Sequence, residues 1–245
     1  MPQIFKVGGC VRDRLLGLES NDIDFTFVLD NLDRTVEEGF QIMTEWLDHK
    51  MFTIFLSTPE CFTIRAKFPQ GHENEGMVAD FVLARKEVGY EEGTRRPILE
   101  LGTLEDDLVR RDFTVNAMAE DENGNIIDLF DGQEHLKQMI LVTPLDPKLT
   151  FMDDPLRILR AFRFSITKGF VMCEDIQRAI AEPLLWVKMK EVVSAQRIRE
   201  ELTKCFHADT MTSLQMLFVL EDVHPGMIEE VLFQDGMWLK PTFEK

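Results

Sequence analysis

An α+β fold is predicted: a mixed β-sheet with helices in the first part of the chain, followed by an all-helical second part. From Ile4 to Ala84, short apolar runs bounded by turn residues read as strands, with one long amphipathic stretch among them. Beyond Pro144 and Pro147 the apolar residues fall at helical spacing instead. The 245 residues, 44% hydrophobic and 29% charged, suffice for a real core and argue against long disorder. The expected division is a head at 1–142, a linker at 143–149, and a helical neck with a short body at 150–245.

The elements follow in order. Ile4, Phe5 and Val7 form a strand, Gly8-Gly9 a turn, and Val11 to Leu16 a helix that Gly17 closes. Asn21 to Val28 returns as a second strand. Leu32 to Lys50 is an amphipathic helix with Val36, Phe40, Met43 and Leu47 on its core face. Phe52–Leu56, Cys61–Phe68 and Met77–Ala84 are strands, the first two joined at Ser57-Thr58-Pro59. A polar loop runs from Lys86 to Leu104, and at this length such a loop tends to be functional. Leu108 to Ala119 is an amphipathic helix with Leu108, Val115 and Met118 available for burial and Arg111, Asp112 and Asn116 as its polar set. Ile126–Phe130 is a short strand or turn, and Gln133–Met139 a short helix. Asp153-Asp154-Pro155 starts the helix Leu156–Phe164, with an aspartate at the N-cap and proline in the first turn. Further helices are expected at Cys173–Ile180, Lys188–Phe206, Thr212–Glu221 and Gly226–Phe233.

Composition excludes several functions. A net charge of −17 argues against a general nucleic-acid-coating surface, so an RNA partner must meet a local basic patch. Candidates are Arg110-Arg111, the row Arg157, Arg160 and Arg163, and Arg197 with Arg199. The four cysteines, Cys10, Cys61, Cys173 and Cys205, are scattered and indicate neither a zinc site nor a disulfide framework. No run approaches the roughly 20 apolar residues of a membrane span. No signal pattern opens the chain, so it is expected to be cytoplasmic, without a membrane partner.

Chemistry concentrates in Val7 to Phe25. Asp22 and Asp24, two residues apart on a strand, share a face, and two adjacent carboxylates call for a cation. Gly8-Gly9 leading into a helix offers unblocked backbone N–H groups to an anion. Together they call for a metal-bound phosphate. Asp80, polar within an apolar strand, is either a surface carboxylate or a third carboxylate facing that pair.

GGCVRDRLLG, NDIDF, RRDFTVNAMA, IDLFDG, DDPLRILRAFRF and SAQRIREEL occur in that order. Together they resemble the class II tRNA nucleotidyltransferases and bacterial poly(A) polymerases, within the polymerase-β-like superfamily, from about Lys6 to Lys204. The resemblance implies a nucleotidyltransferase head, with Asp22 and Asp24 catalytic and metal-binding, Asp80 a further ligand, and Mg²⁺, two ions, as cofactor. It also implies that Gly8, Gly9 and Arg12 hold the triphosphate, and that Arg111, Asp112 and Asn116 contact the nucleotide. Asp154, Arg157 and Arg160 are implied on the base side, with Arg163, Ser194 and Arg197 on supporting helices. An acceptor beside a donor, Asp154 with Arg157, complements the Watson–Crick edges of cytosine and adenine and not those of uracil and guanine. The family pattern is EDxxR, and Asp153 stands here in its first place. The implied function is template-independent addition of C and A from CTP and ATP to a tRNA 3′ end. Poly(A) or A-only addition, and an inactive nucleotide- or RNA-binding module, are the alternatives. After Lys204 the motifs end, so the tRNA-gripping body is expected to be shortened. Trp238 and Phe243 are available to pack on the helices or to make a homodimer contact.

Overall fold

In the computed structural model, which describes residues 2–20, 22–90 and 97–234, the chain divides into two units, Met1–Gln133 and Glu134–Lys245. The first carries β1 (Gln3–Val7), α1 (Gly9–Leu15), β2 (Ile23–Val28), α2 (Val36–His49), β3 (Thr53–Thr58), β4 (Thr63–Lys67) and β5 (Val78–Leu83). There follow β6 (Arg85–Tyr90), β7 (Pro97–Leu101), α3 (Leu104–Val109), β8 (Met118–Glu120), β9 (Ile126–Asp128) and, across the division, α4 (Gly132–Gln138). Seven strands form one mixed sheet in the order β3-β4-β5-β2-β1-β8-β9. Its single parallel pair, β2 with β5, sets Asp24 opposite Asp80.

The period of two in β2 separates the faces. Phe25 and Phe27 point toward α2, where Met43, Leu47, Ile64 and Phe81 make the main core. Asp24 and Thr26 point the other way, toward α3, over a smaller core of Phe5, Val7, Leu108, Ala117 and Ala119. The start of α2 is fixed by a capping box, Thr35 Oγ1 accepting from Glu38 N and the Glu38 carboxylate accepting from Thr35 N.

Three expectations for this unit are corrected. Within the polar stretch expected as a loop at Lys86–Leu104, Arg85–Tyr90 and Pro97–Leu101 pair as the antiparallel ladder β6–β7, residues 91–96 lying outside the described ones. In β7, Leu99 and Leu101 alternate with exposed Glu100 and pack on the main core, and Gly102 permits the close approach, since a Cβ there would lie 2.7 Å from the Arg85 carbonyl carbon. The helix expected at Leu108–Ala119 is instead the end of α3, a 3₁₀ turn at Thr114–Asn116 and strand β8. A capping box of Thr103 with Asp106 starts α3 early. The Asp112 carboxylate then binds Phe113 N and Asn116 Nδ2 and so competes with helical bonding. Leu108, Val115 and Met118 are nevertheless all buried. Asp22 lies just ahead of β2 rather than within it. Asn21, Gly93, Arg95, Arg96, Trp238 and Phe243 fall outside the described residues.

The second unit comprises α5 (Pro147–Asp153), α6 (Leu156–Lys168), α7 (Glu174–Ile180), α8 (Pro183–Val192), α9 (Ala195–Ala208) and α10 (Thr210–Val223), ending in a π-helical turn at Ile228–Leu232. A two-residue parallel pair, β10 (Ile140–Leu141) with β11 (Val171–Met172), interrupts the expected all-helical pattern. Residues 143–149 are not an open linker. Asp146 caps α5 by accepting from Lys148 N and Leu149 N, and Pro147 is its first residue. Asp153 therefore closes a helix instead of capping the next one. The helix expected over Lys188–Phe206 breaks at Ser194, whose hydroxyl caps α9 by accepting from Arg197 N. No helix among the described residues is long and apolar enough to cross a membrane.

Candidate active site

Gly8 joins β1 to α1 at φ 75°, ψ −135°, a conformation that disfavours any side chain. A Cβ at this position would lie 2.9 Å from Arg111 Nη1 and 3.7 Å from Asp24 Oδ2. The missing side chain is thus what lets a guanidinium and a carboxylate converge on one point of backbone. Gly8→Ala is expected to cost about 1–3 kcal/mol from backbone strain and to displace Arg111. Urea denaturation measures the first effect and nucleotide titration the second.

Asp24 is largely buried, and burial raises its carboxyl pKa above the usual carboxylate value. Arg111 opposes the rise, while Asp80 and Asp22 add to it. A carboxylate held among like charges in a partly dry site is well suited to a cation. Asp22 is exposed. Asp80, in register with Asp24, has both oxygens engaged by Arg65, with Nε–Oδ1 and Nη2–Oδ2 each 2.6 Å.

Beneath these groups lies a second network. Arg111 Nη2 donates to Asp107 Oδ2 at 2.9 Å and Arg110 Nη2 to Asp107 Oδ1 at 2.5 Å. Thr26 Oγ1 donates to Asp107 Oδ2 at 2.8 Å. Burial alone would raise the Asp107 pKa, but Arg111 and Arg110, with the Thr26 hydroxyl, hold it well below the usual carboxylate range. The stability it contributes is therefore complete above its unfolded-state value of about 4 and is lost as pH falls further. In paired urea titrations, the stability gap between wild type and Asp107→Asn is expected to be widest above about pH 5 and to narrow below about pH 4.

The third network joins residues that the motifs had singled out separately. Arg12 is buried. It forks onto Asp13, Nε–Oδ1 and Nη2–Oδ2 both 2.9 Å, and donates from Nη1 to Asn116 Oδ1 at 2.5 Å. Asn116 Nδ2 donates to Asp112 Oδ1 at 2.9 Å. Gly9 flanks the same guanidinium, 3.5 Å separating its notional Cβ from Arg12 Nη2. Gly8, Asp24 and Arg111 converge, as do Gly9, Arg12, Asp112 and Asn116. A cavity of about 360 Å³ lined by Phe25, Trp46, Phe52 and Phe68 lies on the opposite face of the sheet and takes no part in this site.

Within the second unit, Asp154 follows α5 in an extended conformation and accepts from Leu156 N at 3.2 Å and from Arg197 Nη2 at 2.7 Å. Arg157 donates to Thr150 O at 3.1 Å and pairs with Asp153 at 3.2 Å. Asp154 and Arg157 thus lie one turn apart with different ionic partners. Arg160 and Arg163 both lie over the Phe164 ring, and Arg163 Nε pairs with buried Glu201 at 2.6 Å. Ser194 holds the start of α9.

Sequence reasoning missed Thr26, Arg65 and Asp107 as partners of site residues. Only Asp107 left a signal, its spacing of three and four from Arg110 and Arg111, which aligns ion pairs on a helix.

Among the described residues, no group of three or more His, Cys, Asp or Glu side chains forms a ready cage for a metal ion. The donors present still fit Mg²⁺. That ion uses one or two carboxylates and completes its shell with water and substrate phosphate.

A family model described as "Poly A polymerase head domain" matches residues 4–142. The chain is 36% identical over 208 residues to a multifunctional CCA protein of Neisseria gonorrhoeae, covering 82% of this chain and 44% of that protein. Among solved structures, the Bacillus stearothermophilus CCA-adding enzyme in complex with CTP superposes with a TM-score of 0.70 at 26% identity, over 92% of this chain and 50% of that one. A tRNA nucleotidyltransferase complexed with a primer tRNA and an incoming ATP analogue gives 0.67 at 28% identity, over 92% and 60%. The similarity therefore continues past Lys204, where the motifs stop. The chain spans about half the length of the curated relatives it matches.

Proposed function

The chain belongs to the family of class II tRNA nucleotidyltransferases and bacterial poly(A) polymerases, and on that premise we propose that it adds C and A from CTP and ATP to the 3′ end of tRNA, without a nucleic-acid template. The observation that carries the proposal is the convergence at Gly8. A half-buried carboxylate and a forked cation meet there on bare backbone, the arrangement needed to bring a cation-bound triphosphate against a protein wall.

Asp22 and Asp24 would hold Mg²⁺, with two ions proposed, and Asp80, each of whose oxygens accepts from Arg65, would join them through its remaining lone pairs. The cation would supply charge neutralisation for attack by a 3′-hydroxyl on the α-phosphate and for departure of pyrophosphate. Arg111 and the amides after Gly8 orient the triphosphate. Arg12, locked by Asp13 and Asn116, keeps the Gly8-Gly9 turn and the Asp112 carboxylate in place beside it. In the second unit, Asp154 offers an acceptor and Arg157 a donor to the incoming base, with Arg160 nearby. Arg163 and Arg197, tied to Glu201 and Asp154, brace the helices that present them.

The test is incubation of the purified chain with Mg²⁺, tRNA lacking CCA, and each labelled nucleotide. Incorporation of CTP and then ATP, ending at three residues, is the expected result. Long products from ATP alone would replace it with poly(A) addition, the activity in the family model's own description. ATP binding without transfer would reduce it to a binding module.

A further inference from the structure

Asp107 is fully buried, so it touches no substrate, yet it is bound by three donors from two different elements. Arg110 and Arg111 reach it from the end of α3, and Thr26 reaches it from β2, two residues beyond Asp24. We propose that Asp107 is a positioning residue, its carboxylate holding the Arg111 guanidinium against Gly8 beside Asp24 so that Arg111 meets the nucleotide triphosphate already oriented. This rests on the reading of the site as one that binds nucleoside triphosphates.

The geometry of Arg111 carries the inference. Its Nη1 lies against Gly8. Its Nε is buried without a hydrogen-bond partner. Its Nη2 makes the 2.9 Å bond to Asp107 and a marginal 3.5 Å contact to Thr26 Oγ1. Asp107 is thus the ionic anchor of a side chain with four rotatable bonds, and its other oxygen is taken by Arg110 on the same helix. The Thr26 hydroxyl fixes the carboxylate rotamer from the strand that bears Asp24. Strand and cation are registered to each other through one buried carboxylate. A forked cation loses less freedom on binding phosphate when its plane is set in advance.

The experiment uses the full chain with MgATP, measuring the Kd by calorimetry and KM and kcat on a tRNA acceptor. Asp107→Asn keeps the shape and removes the charge. The expected result is a rise of about tenfold in Kd and KM with kcat within about twofold, because an interaction made equally in ground and transition states has been weakened. In an Arg111→Met background, Asp107→Asn is expected to add nothing further. A folded Asp107→Asn with lower thermal stability and unchanged KM marks a merely structural role and overturns the proposal, as does an additive effect in the double variant. Should Asp107→Asn fail to fold, Thr26→Val leaves the charge and removes the hydroxyl that orients it. It is expected to raise KM by about two- to fivefold, and an unchanged KM again overturns the proposal. A wild-type chain that binds no MgATP overturns the functional reading and this inference together, whereas MgATP binding that Asp107→Asn does not alter overturns this inference alone.

Discussion

Asp24→Ala is expected to lower nucleotide incorporation by roughly 10³-fold, since a cation's stabilisation of the reacting phosphate is worth several kcal/mol and each 1.4 kcal/mol is tenfold in rate. Fold should survive. Asp24 lies on the face of β2 opposite the main core, and burial, with Asp80 and Asp22, disfavours its ionised form more than Arg111 and Arg65 favour it. The variant is accordingly expected to be at least as stable as wild type in urea while losing activity, a combination that separates a functional carboxylate from a structural one. Asp22→Ala, at an exposed position outside β2, should show the same loss of activity with little change in stability. Asp80→Ala should lose less, because its two oxygens serve Arg65. Full activity in Asp24→Ala would remove the basis for a cation at this site.

The sequence made Asp24 legible because strand phase is a local property. Once Ile23, Phe25 and Phe27 are assigned to the core, Asp24 and Thr26 must share the other face. Local pattern likewise marked α2, through the spacing of Val36, Phe40, Met43 and Leu47, and the opening of α6, through Asp154 and Pro155. What was not legible depended on partners distant in the chain. The spacing of Asp107 from Arg110 and Arg111 was visible, but its bond to Thr26, 81 residues away, was not. Arg12 acquires its fixed geometry from Asn116, 104 residues away. The helical reading of RRDFTVNAMA failed because β8 completes a ladder to β1, so a tertiary pairing decided the backbone state. The break at Ser194 is the reverse case. A serine N-cap signal was present within a segment whose apolar pattern continued through it, and the cap prevailed over the pattern.

The second large effect is expected at the proposed base-selecting pair of the second unit, Asp154 and Arg157. Asp154 is fixed from two sides: Leu156 N engages Oδ1, and Arg197 Nη2, from α9, engages Oδ2. Arg157 is held by Thr150 O and Asp153, mostly out of solvent. Each side chain is thus held by partners of its own unit, as the proposed acceptor–donor pair needs in order to discriminate between bases presenting the opposite order. A well-oriented pair discriminates by about 1–3 kcal/mol. Asp154→Ala is therefore expected to reduce the preference for CTP and ATP over UTP and GTP by about 5- to 150-fold, measured as kcat/KM ratios on one acceptor. Arg197→Met should reduce it less, because Asp154 keeps its bond to Leu156 N and loses only the partner that orients its second oxygen. The comparison among four nucleotides is what makes the result specific. A variant that merely loosened the helices would lower all four values together and leave their ratios unchanged, and that outcome would remove Asp154 from base selection.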